Sequence, residues 1–296
     1  MRLIVGFVPE HFSTPLFLAE RQGFFLKNGL EVSFKAFPSG SGHLIQSLQE
    51  GSINMAVGLT EAFVKAAASD DVCYKLIGTY VKSPLRWAVS TGGKRQEINS
   101  VNELEGKVCG VSRIGSGSDI MSKVLKEEKH WTKDFQYEVL DSFGNLRQAV
   151  NNKMADFFMW EHFTSKRYFD NGEIKSVGDI YTPWPSWVIV ADGVVLKYET
   201  VALAFCKSVN EGIEYFKNNT EEAIRYIVSH FDYEEATVRA WLDTVEFSDD
   251  ASRIDPEIVS KTLAILKQAI TLPENCDQTC YIQDLHSPII NYDHQK

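Results

Sequence analysis

Hydrophobic positions in the first ninety residues switch repeatedly between two periods. Leu3–Val8 is a compact apolar run ending at Pro9, which predicts a buried strand. Thr14-Pro15 sets an N-cap residue before a proline at the first helical position. It predicts a helix through Leu16–Arg21 that stops near Gly23. Leu30, Val32, Phe34 and Ala36 share one face of Leu30–Phe37, a period of two and hence a second strand. Ser39-Gly40-Ser41-Gly42 then leads into a helix carrying Leu44, Ile45 and Leu48. Ile53–Leu59 predicts a third strand, Glu61–Ala68 a helix, and Tyr74–Tyr80 and Trp87–Ser90 further strands.

The same grammar resumes after residue 100. Ser100-Val101-Asn102-Glu103 has the form of a capping box. Val108–Ser112 reads as a strand, followed by the loop Arg113-Ile114-Gly115-Ser116-Gly117-Ser118-Asp119 and a helix through Met121, Val124 and Leu125. Tyr137–Leu140 is another strand, and Leu146–Asn151 is a helix entering strand Ala155–Trp160. Beyond Gly193 the pattern becomes helical, at 199–218, 220–230, 234–245 and 255–271, and Asn275–Lys296 reads as irregular. Strands alternating with helices imply α/β lobes, each a mostly parallel sheet flanked by helices, with a helical C-terminal region. Gly51–Val57 and Lys153–Met159 each end a helix and enter a strand, with Glu61 and Glu161 close behind; either two related lobes or chance similarity accounts for that echo.

Composition narrows the partners. The chain has 296 residues, with 30 basic and 40 acidic side chains and a formal net charge of −10. An acidic chain without a long basic run does not suit a polyphosphate, so no nucleic-acid partner is expected. No apolar stretch approaches the ~18–20 residues of a membrane span, and the N-terminal run is too short for a secretion signal. Five scattered cysteines, Cys73, Cys109, Cys206, Cys276 and Cys280, do not make a disulfide framework, and reduced thiols in the cytoplasm are the expectation. Cys276 and Cys280 with His286 and His294 are spaced poorly for zinc, so no metal and no cofactor are expected.

Candidate chemistry follows from where ligands gather in open parallel sheets, at the carboxyl ends of the strands. That rule selects His11 and Phe12 after the first strand, Ser39 and Ser41 after the second, and Thr60 and Glu61 after the third. In the second lobe it selects Gly115, Ser116, Gly117 and Ser118, then Trp160 and Glu161. The two Gly/Ser loops precede helices whose free amides and dipoles suit a negative group, although neither has a phosphate-loop or dinucleotide spacing. Pro84, Leu85 and Arg86 lie beside a candidate crossing between lobes; Arg86 either clamps an anionic ligand or pairs with an acidic neighbour. His11 either serves a ligand as donor or base or is an ordinary hydrogen-bonded histidine. Trp160 and Trp187 are candidates for flat cleft walls, with core packing as the alternative.

Taken together these residues resemble a known family. Val5-Gly-Phe-Val-Pro, then Pro15-Leu-Phe-Leu-Ala-Glu-Arg-Gln-Gly-Phe-Phe-Leu-Lys-Asn-Gly-Leu-Glu-Val, resembles the opening of type II solute-binding proteins. The branch is the one that serves nitrate, sulfonate, taurine and thiamine-pyrimidine precursors. Ser39-Gly-Ser-Gly, Gly51-x-Ile53-Asn54, Val57-Gly58 and Leu104-x-Gly106-Lys107-x-x-Gly110-Val111 also fit its pattern, over roughly residues 1–195. The resemblance implies a two-lobed type II periplasmic-binding-protein-like fold closing on a small ligand, with lobe 1 at 1–88 and 193–296 and lobe 2 at 89–192. Its lack of a leader makes the chain look like the leaderless fungal-type cytosolic members. The expected function is binding of a small heterocyclic or anionic metabolite, with thiamine-pyrimidine-related and sulfonate-like ligands both open and no protein partner identified. The alternative is a cytosolic enzyme of thiamine-related or heterocycle metabolism, with His11 and Glu61 or Glu161 as acid and base. The cysteine cluster of the thiamine-pyrimidine synthases is not found here.

Overall fold

A computed structural model describes residues 2–69, 72–270, 272 and 281–286. The first part of the chain runs β1 (Arg2–Phe7), α1 (Thr14–Arg21), α2 (Phe24–Lys27), β2 (Glu31–Ala36), α3 (Ser41–Gln49), β3 (Met55–Leu59), α4 (Thr60–Ser69) and β4 (Tyr74–Val81). It then crosses to β5 (Arg86–Gly92), β6 (Val108–Val111), α5 (Gly117–Glu128), β7 (Gln136–Val139), α6 (Phe143–Asn151), β8 (Phe157–Glu161), α7 (His162–Asp170) and β9 (Ile174–Tyr181). It returns as β10 (Trp187–Asp192) and ends in α8 (Gly193–Leu196), α9 (Glu199–Asn218), α10 (Thr220–His230), α11 (Glu235–Leu242) and α12 (Pro256–Ala269).

The strands form two five-stranded sheets, ordered β2-β1-β3-β10-β4 and β7-β6-β8-β5-β9. In each, four strands share one direction and a single strand, β10 or β5, runs against them. The two orders are the same pattern: β1 corresponds to β6, β3 to β8, and β10 to β5. The echo between Gly51–Val57 and Lys153–Met159 therefore falls on equivalent strands. It extends to detail: Gly51 and Lys153 both have φ of 67°. Asn54 accepts a hydrogen bond from the Ile4 amide at 3.1 Å, as Asp156 does from the Val108 amide at 3.0 Å. The acidic residues of the echo are not equivalent, because Glu161 ends β8 whereas Glu61 lies inside α4.

The lobes exchange strands. The chain leaves the first sheet over 82–85 and returns over 182–186, so β10 pairs with β3 and β4 of the first sheet. The expected division at 192 falls at the far end of β10 instead of before it. Local pattern registers an apolar run but not which sheet recruits it. Similarly β9 and α7 leave little periodic signal: β9 is an edge strand with only Ile174 and Ile180 buried, and α7 buries only Phe163 and Ser165. Thr14 opens α1 instead of capping it, with Ser13 as the preceding residue, and Gly23 at φ 72° separates α1 from α2.

A continuous apolar cluster runs from the first lobe through Leu85, Trp87 and Trp187 into the second. The C-terminal helices bridge the lobes: α12 packs on both α4 and α5, and α11 packs on α7. Residues at the carboxyl ends of both sheets, Leu59 of β3 and Glu161 of β8 among them, line one shared crevice.

Candidate functional site

An antiparallel strand that enters a parallel sheet starts beside the carboxyl ends of its neighbours. Trp187, the first residue of β10, lies opposite Leu59 at the end of β3, and Trp87 of β5 lies opposite Glu161 at the end of β8. The two indoles thus occupy equivalent positions in the two lobes, and both line the inter-lobe cleft. Trp87 is 4% and Trp187 1% exposed, and neither indole N–H has a hydrogen-bond partner in the protein.

The cleft encloses about 60 Å³. One wall is the start of α3, where Gly40 takes φ 79° and the Ser41 hydroxyl accepts the Leu59 amide at 2.9 Å, leaving its own proton free. The opposite wall is the start of α5. There Ser116 donates to the Arg113 carbonyl at 2.7 Å, and Ser118, 2.9 Å from Ser116, accepts the Ser112 amide at 3.3 Å. These serines shape the loop more than they offer protons. Ser116 also accepts the Asp119 amide as N-cap, so Ser116→Ala is expected to cost about 1 kcal/mol in a urea titration. An unchanged midpoint would remove that role.

Across the cleft the lobes touch. A Cβ on Gly117 would lie 2.9 Å from Leu59 Cδ1 of the other lobe, and one on Gly42 would lie 2.9 Å from Arg113 Nη2. Two carboxyls complete the lining. Glu161 accepts the Phe163 and Thr164 amides at 3.0 and 2.6 Å and the Thr164 hydroxyl at 2.8 Å. Burial still raises it above the usual carboxylate range, against the pull of those bonds. Glu10, from the first lobe, is pushed up to about 8, first by burial and then by the charge of Glu161.

Of the residues singled out from sequence, Ser39, Ser41, Leu85, Ser116, Gly117 and Ser118 line this cleft, as do Trp160, Glu161 and Trp187. Gly115 lies on an outer rim space with Ser39 and Arg113. Phe12, Pro84 and Arg86 border a separate cavity of about 180 Å³. Arg86 is paired with Asp179 at 3.0 Å, and Asp179 also bonds His162 Nδ1 at 3.0 Å, so the acidic-neighbour alternative describes it.

Three further residues line neither the cleft nor these neighbouring spaces. His11 is buried with ring centroids of Phe12, Tyr233 and Trp241 at 4.4, 4.5 and 4.3 Å, and burial holds it neutral. Thr60 donates its hydroxyl to the Pro185 carbonyl at 2.5 Å and its amide to the Ser186 carbonyl at 3.0 Å, clasping the returning crossover. Glu61 accepts the Trp184 indole N–H at 3.0 Å, and burial raises its carboxyl to about 7. Of the acid–base candidates of the enzyme alternative, His11 and Glu61 are therefore absent from the cleft lining, whereas Glu161 is part of it.

Trp87, Pro38 and Val8 line the cleft without having been selected, and so do Glu10 and Arg113, which stood only as members of the loops after the first strand of each lobe. Trp87 had a signal: Pro84-x-x-Trp87 and Pro185-x-Trp187 both precede an apolar run. Among the described residues no cluster suits a metal ion, and no helix is long and apolar enough to cross a membrane. Of the candidate zinc residues, Cys276, Cys280 and His294 lie outside the described residues, and His286 bonds the Ser252 hydroxyl at 2.8 Å.

The sequence model of the Ca3427-like PBP family matches residues 87–180, most of the second lobe. The Candida albicans CA3427 gene product, described as defining a family with the generic periplasmic binding protein fold, is 41% identical over 96% of both chains, with a TM-score of 0.91. The alkanesulfonate-binding protein SsuA of Xanthomonas axonopodis pv. citri, solved with MOPS, is 14% identical. It covers 95% of this chain and 98% of its own, at a TM-score of 0.79. The nitrate-binding protein NrtA of Synechocystis PCC 6803 is also 14% identical, covering 94% of this chain and 83% of its own, at a TM-score of 0.71. No curated protein sequence matches the chain.

Proposed function

Because the chain belongs to the family defined by the Candida albicans CA3427 gene product, with its periplasmic-binding-protein fold, we propose that it binds a small molecule by closing its two lobes over it. The observation that carries the reading is the matched pair Trp87 and Trp187, one from each sheet, both lining one small cleft to which both lobes contribute.

The chemistry of the walls favours a small anionic or heterocyclic solute. The amides at the starts of α3 and α5, the Ser41 proton and the Arg113 guanidinium attract negative charge or lone pairs. The buried indoles make the inner wall apolar and exclude water from it. The fold relatives that bind alkanesulfonate and nitrate support the anionic class, and thiamine-pyrimidine-like rings remain the heterocyclic one. The protein's compartment is read as the cytoplasm, on five cysteines too scattered for a disulfide framework.

Closure is a hinge motion about 82–85 and 182–186. A ligand at about 100 times its dissociation constant is expected to stabilise the fold by about 2.7 kcal/mol. The test is a melting series with nitrate, alkanesulfonates, taurine, hydroxymethylpyrimidine and thiamine, together with native mass spectrometry of the purified protein. A flat series with no co-purified small molecule would count against binding.

A further inference from the structure

The inner cleft, at about 60 Å³, has room for roughly five water positions at ~10–15 Å³ each. That suits the polar head of a metabolite but not a whole ring compound. On its outer side, sharing Val8, Glu10, Pro38 and Trp160 as walls, lies a second space of about 420 Å³. The second lobe contributes Phe143, Thr164, Arg167 and Tyr168 to it, and the turn between α10 and α11 contributes Phe231, Asp232 and Tyr233.

The rings of this outer chamber are held by the protein itself. Trp160 stacks on Phe143 with centroids 5.0 Å apart and planes at 18°. The Arg147 guanidinium sits 3.4 Å from the Tyr168 ring centroid and 4.8 Å from that of Phe143. The Tyr233 hydroxyl is 2.9 Å from that of Thr164, and Arg167 pairs with Asp232 at the rim. Yet Trp160, Tyr168, Phe231 and Tyr233 are each only partly buried. Ring surface that is immobilised and left uncovered is worth about 25 cal/mol for each Å² a ligand removes from water. Because Asp232 neutralises Arg167, the chamber asks for flat apolar area instead of charge.

We propose that the ligand is bipartite: a small polar head fills the inner cleft, and a planar aromatic or heteroaromatic ring fills the outer chamber between Trp160, Tyr168 and Phe231. This rests on the binding reading above and adds a second subsite with its own specificity-determining residues. A ring there can stack offset at the ~4.5–7 Å centroid spacing of aromatic pairs.

The test uses two probes that share a head, ethanesulfonate and 2-phenylethanesulfonate, and a heterocycle, 4-amino-5-hydroxymethyl-2-methylpyrimidine. Each is soaked into crystals of the full chain and titrated by calorimetry into wild type, Phe231→Ala and Tyr168→Leu. Variants whose melting matches wild type are compared. Ring density in the outer chamber is expected, with the phenyl probe at least about tenfold tighter than ethanesulfonate. Either variant removes most of that advantage and changes ethanesulfonate affinity less than about twofold. Heads bound in the inner cleft with no ring preference, or rings lodged in the inner cleft, would overturn the bipartite ligand and leave binding intact. No probe in either space overturns both.

Discussion

Gly117→Val is expected to lower ligand affinity by at least about a hundredfold, about 2.7 kcal/mol, while leaving each lobe folded. Gly117 is the first residue of α5, in the second lobe, and its Cα faces the other lobe directly. A Cβ there would lie 2.9 Å from Leu59 Cδ1, 2.9 Å from Trp87 Cη2 and 3.1 Å from Trp87 Cζ2. Leu59 can change rotamer, but Trp87 is wedged between strands of its own sheet with 4% exposure. Valine adds two γ carbons to the overlap. The lobes must part or the Trp87 indole must leave its place, and in both cases the cleft loses a wall. The helix itself tolerates the change, since valine costs an α-helix well under 1 kcal/mol relative to alanine. Calorimetry with any ligand that raises the melting temperature, together with X-ray scattering of the same samples, measures both arms. A variant with wild-type affinity and a wild-type radius of gyration would show that the close approach of Gly117 to Leu59 is incidental.

The reach of the sequence can be judged at particular residues. Strands such as Leu3–Val8 and helices such as 199–218 are legible because their signal is local, an apolar run or a 3.6-residue stripe. The strand-end rule selected Ser41, Ser116 and Trp160, which line the cleft between the lobes. It could not say which way a side chain turns. His11 follows β1 as expected, but the short helical turn at His11–Ser13 drives its ring against Trp241 and Tyr233, over two hundred residues away in sequence. Glu61 is hidden in the same manner by Trp184. Trp87 and Trp187 show the converse. Their equivalence appears only when β5 and β10 are seen to exchange between sheets, which is a matter of long-range pairing.

Glu10→Gln is expected to flatten the dependence of stability on pH between about 5 and 8. Glu10 ends the first-lobe loop that faces Glu161 of the second lobe, and both line the cleft. Glu161 has three hydrogen bonds from the start of α7 to support its charge, whereas no hydrogen bond to the Glu10 carboxyl compensates its burial. The proton therefore stays on Glu10, whose carboxyl rises from 4.5 to about 8. A carboxyl with a raised folded-state pKa binds more protons folded than unfolded, so stability falls as pH rises from the unfolded value to the folded one. At about 1.36 kcal/mol per unit the full shift corresponds to at most about 5 kcal/mol, and partial solvent access to the side chain brings the expected loss nearer about 2 kcal/mol. Glutamine keeps the shape and cannot ionise. Urea midpoints of the two proteins should agree near pH 5 and diverge upward in pH, with the variant the more stable at pH 8.5. Parallel curves across that window would mean that Glu10 ionises without cost, and that the two lobes do not oppose like charges when they close.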